Sequence, residues 1–147
     1  MRARDIMTRD PEALTAADSL RRAAELMRDL NVGIIPVVDD ARSRRIRGVI
    51  TDRDIAMRHV AEGHGDGCTV GDHMTESATR VGPEDDVDEV MQRMRREQIR
   101  RVAVVEDGDR LVGIIAQADL AVKTGEEETE QVEETIEKIS EPARPER

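Results

Sequence analysis

Phenylalanine, tyrosine and tryptophan are all missing from the 147 residues. Single-stranded nucleic acid therefore finds no aromatic face on which to stack a base, and Leu, Ile, Val and Met must fill any core. Cysteine is almost as scarce. Cys68 stands alone, so no internal disulfide can form and a reducing compartment is expected. No apolar run approaches the roughly 18 residues of a membrane span, and the first residues, MRARDIMTRD, lack the apolar segment of a signal peptide. A soluble, cytoplasmic chain with no membrane partner is expected. A basic excess is absent as well: 23 Lys and Arg face 33 Asp and Glu, a net charge of −10. Without a basic stripe, nucleic acid is excluded as a partner.

The acidity is uneven. From residue 126 onward, nine glutamates face only Lys138, Arg144 and Arg147, so this tail holds six of the ten net negative charges.

What is present is a repetition. RDIMT at 4–8 returns as GDHMT at 71–75, and SLRRAAELMRDLNV at 19–32 lines up with DVDEVMQRMRREQI at 86–99. IIPVVDD at 34–40 matches RVAVVED at 101–107, and GVITDRDIA at 48–56 matches GIIAQADLA at 113–121. Register holds over about 3–61 and 70–124. The division expected is therefore a first repeat at 1–61, a linker at 62–69, a second repeat at 70–124 and a tail at 125–147.

Each copy carries the same local signals. Leu20, Ala23, Ala24, Met27 and Leu30 recur at helical spacing behind Asp18 or Ser19 as the cap. Val87, Val90, Met91 and Met94 do the same in the second copy, and these methionines read as core. β-Branched runs follow at Ile34–Val38 and Ile46–Ile50, then at Val102–Val105 and Leu111–Ile115, with a turn at Asp107-Gly108. A helix starts near Asp52 and near Gln117, and short extended stretches sit near Leu14 and Val81. The unit is β-α-β-β-α, an α/β (α+β) build of about 55–60 residues, too small to bury an adequate core alone. Two copies stacked about a pseudo-twofold axis would share one. In the tail, Val132, Ile136 and Ile139 before Pro142 predict an acidic amphipathic helix whose narrow apolar stripe docks on the module or on a partner chain. The final residues, ARPER, are expected to be disordered.

These phrases, in this order and twice over, resemble the cystathionine-β-synthase (CBS) domain pair, or Bateman module, and the build resembles its small stand-alone members. The resemblance implies two clefts between the repeats that hold adenine nucleotides or other adenosine-containing molecules (AMP, ADP, ATP, NAD(H) or S-adenosylmethionine). It assigns the ribose diol to Asp54 and Asp119, and a ribose or phosphate contact to the Thr51 hydroxyl. It places adenine against the backbone around Ile34, Pro36 and Val37, and around Val102 and Val104. Arg100 and Arg101 fall where one kinase regulatory subunit of the family carries a His-Arg pair that reaches phosphate. A homodimer, an unknown protein partner and a non-enzymatic regulatory role with no required cofactor are also implied.

The chemistry agrees on elementary grounds. A carboxylate can accept both hydroxyls of a cis-diol, a helix start favours an anion, and an arginine fork matches phosphate. Thr51 and Asp54, three apart at a helix start, are equally suited to capping that helix. Ala116 replaces Thr51 in the second copy and Ala103 departs from Pro36, so the first site is expected to be the better formed, with Gln117 a partial substitute. Adjacent strand residues face opposite ways, so at most one of Arg100 and Arg101 is expected in a given cleft. The alternative is a CBS-like interaction or scaffold protein whose clefts hold no physiological nucleotide.

The stretch HVAEGHGDGCTVGDH (59–73) contains His59, His64, Cys68 and His73. Their spacings are loose and lack a close pair such as C-x₂-C, so a linker with incidental ligands, and no metal, is expected. Gly63, Gly65 and Gly67 lack the strand–loop–helix setting of a phosphate cradle. No catalytic constellation stands out.

Overall fold

The computed structural model describes residues 1–76, 78–123 and 129–140. It is a mixed α+β chain with two four-stranded sheets, and it divides into two compact units.

The first unit comprises Pro11–Ala78 with Asp107–Leu111. Its sheet has the order β2 (Leu14–Thr15), β3 (Ile34–Val38), β4 (Ile46–Thr51), β5 (Thr75–Glu76). The β2–β3 pair is parallel; β3–β4 and β4–β5 are antiparallel, with Ile35 opposite Ile50 and Gly48 opposite Glu76. Helix α2 (Leu20–Leu30) starts where Ser19 Oγ accepts the Arg22 N–H at 3.0 Å, which settles the cap between Asp18 and Ser19. It ends on Asn31 in the left-handed region, φ 55°. Its Leu20, Ala23, Leu26 and Met27 join Leu14, Ile35, Val37, Ile50, Val70 and Met74 in one buried cluster. Along β4 burial alternates, Ile46, Gly48 and Ile50 inward and Arg47 outward, as a strand with one covered face requires. Helix α3 (Asp52–Asp54) follows and runs directly into a π-helical turn, Ile55–Val60. A four-residue helix, α4 (Val70–His73), closes the unit.

The second unit comprises Met1–Asp10, Thr79–Glu106 and the residues from Val112. Strand order is β1 (Thr8–Arg9), β8 (Arg110–Ala116), β7 (Arg101–Glu106), β6 (Arg80–Val81). Helix α5 (Val87–Glu97) is capped by Asp86, which accepts the Asp88 N–H at 2.8 Å. Met91 and Met94 are fully buried in a cluster with Val87, Val90, Val102, Val104, Ile115 and Leu120, so the methionines are core, as the periodicity implies. Helix α1 (Ala3–Ile6) contributes Ala3 and Ile6 to that cluster. Helix α6 (Gln117–Lys123) begins where expected.

Packing units and sequence repeats thus differ at one point. The leading segment of each repeat does not pack with the repeat it opens: Met1–Asp10 joins the second unit, and Val70–Ala78 the first.

The tail helix α7 (Thr129–Ser140) packs on α5 and α6. Its buried face is Val132, Thr135 and Ile139, with Ile136 half-buried. Arg95 of α5 lies 3.7 Å from Glu134 and donates to Thr135 Oγ1 at 3.5 Å. Of the two docking surfaces the sequence left open, the helix uses its own chain. Residues 143–147, expected to be disordered, lie outside the described residues. No described helix is long and apolar enough to cross a membrane.

Candidate functional site

The repeated phrase ends each time at the junction of a strand and a helix. In the first repeat the junction is a closed capping box. Asp54 N–H donates to Thr51 Oγ1 at 2.9 Å, and Thr51 N–H donates to Asp54 Oδ2 at 3.0 Å. Asp54 is only 8% exposed. The Thr75 hydroxyl donates to its carboxylate at 3.2–3.3 Å, and Arg58 Nε lies 3.8 Å away. The sequence reading missed Thr75 and Arg58. The Thr of the second DxMT phrase was the available signal, since β5 carries it alongside β4, opposite Val49. Replacing Asp54 by Ala is expected to lower stability by about 1–3 kcal/mol, the usual effect of removing a cap and stranding buried donors. Urea denaturation measures it.

In the second repeat half of the box remains. Ala116 N–H donates to Asp119 Oδ2 at 2.7 Å, while Ala116 has no hydroxyl to return a bond. Asp119 is half-buried. At this strand–helix junction opens a cleft of about 310 Å³, lined by Arg100, Arg101, Ala116, Gln117, Ala121 and Ile136 among others, with Asp119 outside the lining. Both arginines therefore line one cleft, contrary to the alternation expected. The reason is local: β7 starts at Arg101, so Arg100 precedes the strand and escapes its period of two. The Arg100 carbonyl accepts the Gln117 N–H at 2.9 Å, which fixes this corner against the start of α6.

The strands expected to face adenine have buried side chains. Pro36 and Val37 are buried and Ile34 is half-buried in β3; Val102 and Val104 lie in the core. Pro36, Val37, Val102 and Val104 therefore keep their side chains in the core, and only Ile34 retains partial exposure.

The stretch read as a linker holds a cluster. His59, on the π-helical turn, Cys68 and His73, at the end of α4, bring one ligand atom each within 4.8 Å of one another. The His64 ring stands 5.2 Å from that of His73 and 6.0 Å from that of His59, centroid to centroid. Spacing along the chain gave no hint of this, because a helical turn, a loop and a second helix fold the stretch back on itself. Thr69 N–H donates to Asp72 Oδ2 at 2.8 Å and caps α4. That bond, foremost, holds the Asp72 carboxyl below its ordinary value. Its small contribution is complete above the carboxylate's ordinary titration range and is lost as pH falls through the lowered value.

The sequence pattern of the CBS domain matches residues 3–60 and again 70–123. The chain belongs to the CBS domain family. This CBS pair is 36% identical over 138 residues to the Bacillus subtilis protein YlbB, covering 94% of the chain and 90% of that relative. Among solved structures it is similar to Hypoxic Response Protein I with two coordinated zinc ions: TM-score 0.76, 31% identity, 85% of this chain and all of that one. It is also similar to the CBS domain protein PAE2072 from Pyrobaculum aerophilum complexed with AMP: TM-score 0.73, 27% identity, 83% of this chain and 92% of that one.

Proposed function

We propose that this CBS pair is a non-enzymatic regulatory module that binds an adenosine-containing ligand and passes occupancy on through a change of conformation or association. The observation that carries the reading is the cleft lined by Arg100 and Arg101 together with Ala116 and Gln117, the residues that lead into the Asp119 helix start. Two arginines supply a phosphate site, and a half-buried carboxylate suits the ribose diol. Thr51 and Asp54, with the backbone of Ile34, Pro36 and Val37, form the corresponding site of the first repeat. The AMP held by the Pyrobaculum protein supports this class of ligand. No cofactor is required by the reading. A cytoplasmic homodimer that acts on a partner protein completes it, and exposed Met57 and Val60 support association. A ligand shifts such a module only by its different affinity for the two arrangements.

The test is calorimetry with AMP, ADP, ATP, NADH and S-adenosylmethionine. A phosphate-bearing ligand is expected to bind with micromolar affinity and to lose roughly ten- to a hundredfold in Arg101→Ala, the value of a charge-assisted bond. Adenosine itself is expected to be indifferent to that change.

One observation favours a second reading. The Asp54 carboxylate is already engaged by Thr51, Thr75 and Arg58, as in a scaffold whose clefts stay empty. Absence of heat with all five ligands would establish it.

A further inference from the structure

All three histidines and the only cysteine of the chain fall within residues 59–73, and the fold gathers them. His59 leaves the π-helical turn, a form of helix that recurs at functional positions. The chain then reverses through Gly63, whose φ of 73° is left-handed. Cys68 follows, and α4 presents His73 from a backbone fixed by the Thr69–Asp72 cap.

The positions alone would be a coincidence of residue types. A second observation gives them a direction. Nδ1 of His59 and Nε2 of His73 are buried without a hydrogen-bond partner, and His73 is only 7% exposed. Buried polar atoms are rarely left so, because the desolvated group loses its water and gains nothing. A metal ion satisfies a bare imidazole nitrogen directly.

We propose that His59, Cys68 and His73, completed by His64 from the glycine-rich loop, form a tetrahedral site for a zinc-type divalent ion. The donor set selects the metal: thiolate and imidazole suit zinc, whereas calcium and magnesium require oxygen ligands. Zinc bonds of about 2.0–2.3 Å place neighbouring ligand atoms roughly 3.3–3.7 Å apart. The ligand atoms of His59, Cys68 and His73 already lie within 4.8 Å of one another, so closure takes side-chain rotations of these three and a turn of the His64 ring, whose centroid stands 5.2 Å from that of His73. Binding displaces the Cys68 thiol proton to solvent and ties three successive segments of the first unit together.

The experiment uses the full chain with any affinity tag removed, stripped with a chelator and titrated with zinc, then separately with cobalt(II). One tightly held equivalent per chain is expected, with the thiolate-to-cobalt charge-transfer band and the visible bands of a tetrahedral ion. Cys68→Ser should abolish that charge-transfer band, and should weaken zinc binding by more than about a hundredfold, beyond what outer-shell partners cost. His64→Ala should weaken it at least tenfold. His59→Gln, at a half-buried position, keeps the test open if His73 variants fail to fold. Zinc should raise the thermal midpoint of the native chain and leave that of Cys68→Ser unmoved. Substoichiometric uptake, a cobalt spectrum without the thiolate band, or unchanged affinity in Cys68→Ser would overturn the site. Unchanged affinity in His64→Ala would overturn the fourth ligand.

Discussion

A chain cut after Lys123 is expected to lose about 3–6 kcal/mol from the second unit and to bind a hydrophobic dye that the intact chain ignores. The deletion removes α7, whose Val132 and Ile139 are 4% and 5% exposed within the cluster built on Val90, Met91 and Met94. Each fully buried aliphatic side chain is worth about 1.5–3 kcal/mol, and the surface of α5 that it covered becomes wet. The unfolded chain already hides part of this apolar surface, so the lower half of the range is expected. Even 3 kcal/mol is a large share of the roughly 5–15 kcal/mol that holds a domain together. The measurement is urea denaturation of the cut and intact chains, with dye fluorescence beside it. The single change Ile139→Ala should reproduce about half of the loss. An unchanged midpoint in the cut chain would mean that the acidic helix merely rests on the surface.

The second large effect concerns the glycine that opens each copy of the repeated phrase. Gly48→Ala is expected to destabilise by about 3 kcal/mol or more, and Gly113→Ala by about 1–2, figures spanning the range of overpacking in tight cores. Both positions need the absence of a side chain because a leading segment lies across the strand. They differ in what a methyl group would strike. At Gly48 it meets the backbone carbonyl of Thr75, with Glu76 Cα at 3.0 Å behind it, and backbone in a paired strand cannot step aside. At Gly113 it meets the sulfur and Cγ of Met7, and methionine repacks readily. Denaturation midpoints at constant slope report the ratio. Equal losses at the two sites would refute the distinction between rigid and compliant neighbours.

The elements of this fold were largely legible from sequence because they follow from short-range periods. Met91 and Met94 at helical spacing and the Ile34–Val38 and Ile46–Ile50 runs read directly, while the cap was narrowed to Asp18 or Ser19. The candidate site was legible in part. Thr51 and Asp54 do lie at a helix start and cap it, and Ala116 leaves the second box half made. Three features escaped because they depend on where segments meet. Arg100 and Arg101 share a cleft since β7 begins at Arg101 and leaves Arg100 outside its alternation. The Thr75 hydroxyl reaches Asp54 across 21 positions of sequence. The four histidine and cysteine side chains converge through a π-helical turn, which no spacing rule for zinc contains.

The exchange of leading segments has a consequence for synthesis. Met1–Asp10 leave the ribosome long before Thr79–Glu106, against which they pack, whereas Pro11–Ala78 already hold nearly all of the first unit. Translation therefore completes one body early and leaves the opening ten residues waiting, exposed, until the last strands arrive. Ala3, Ile6 and Met7 spend that interval as an apolar stretch open to chaperones and proteases.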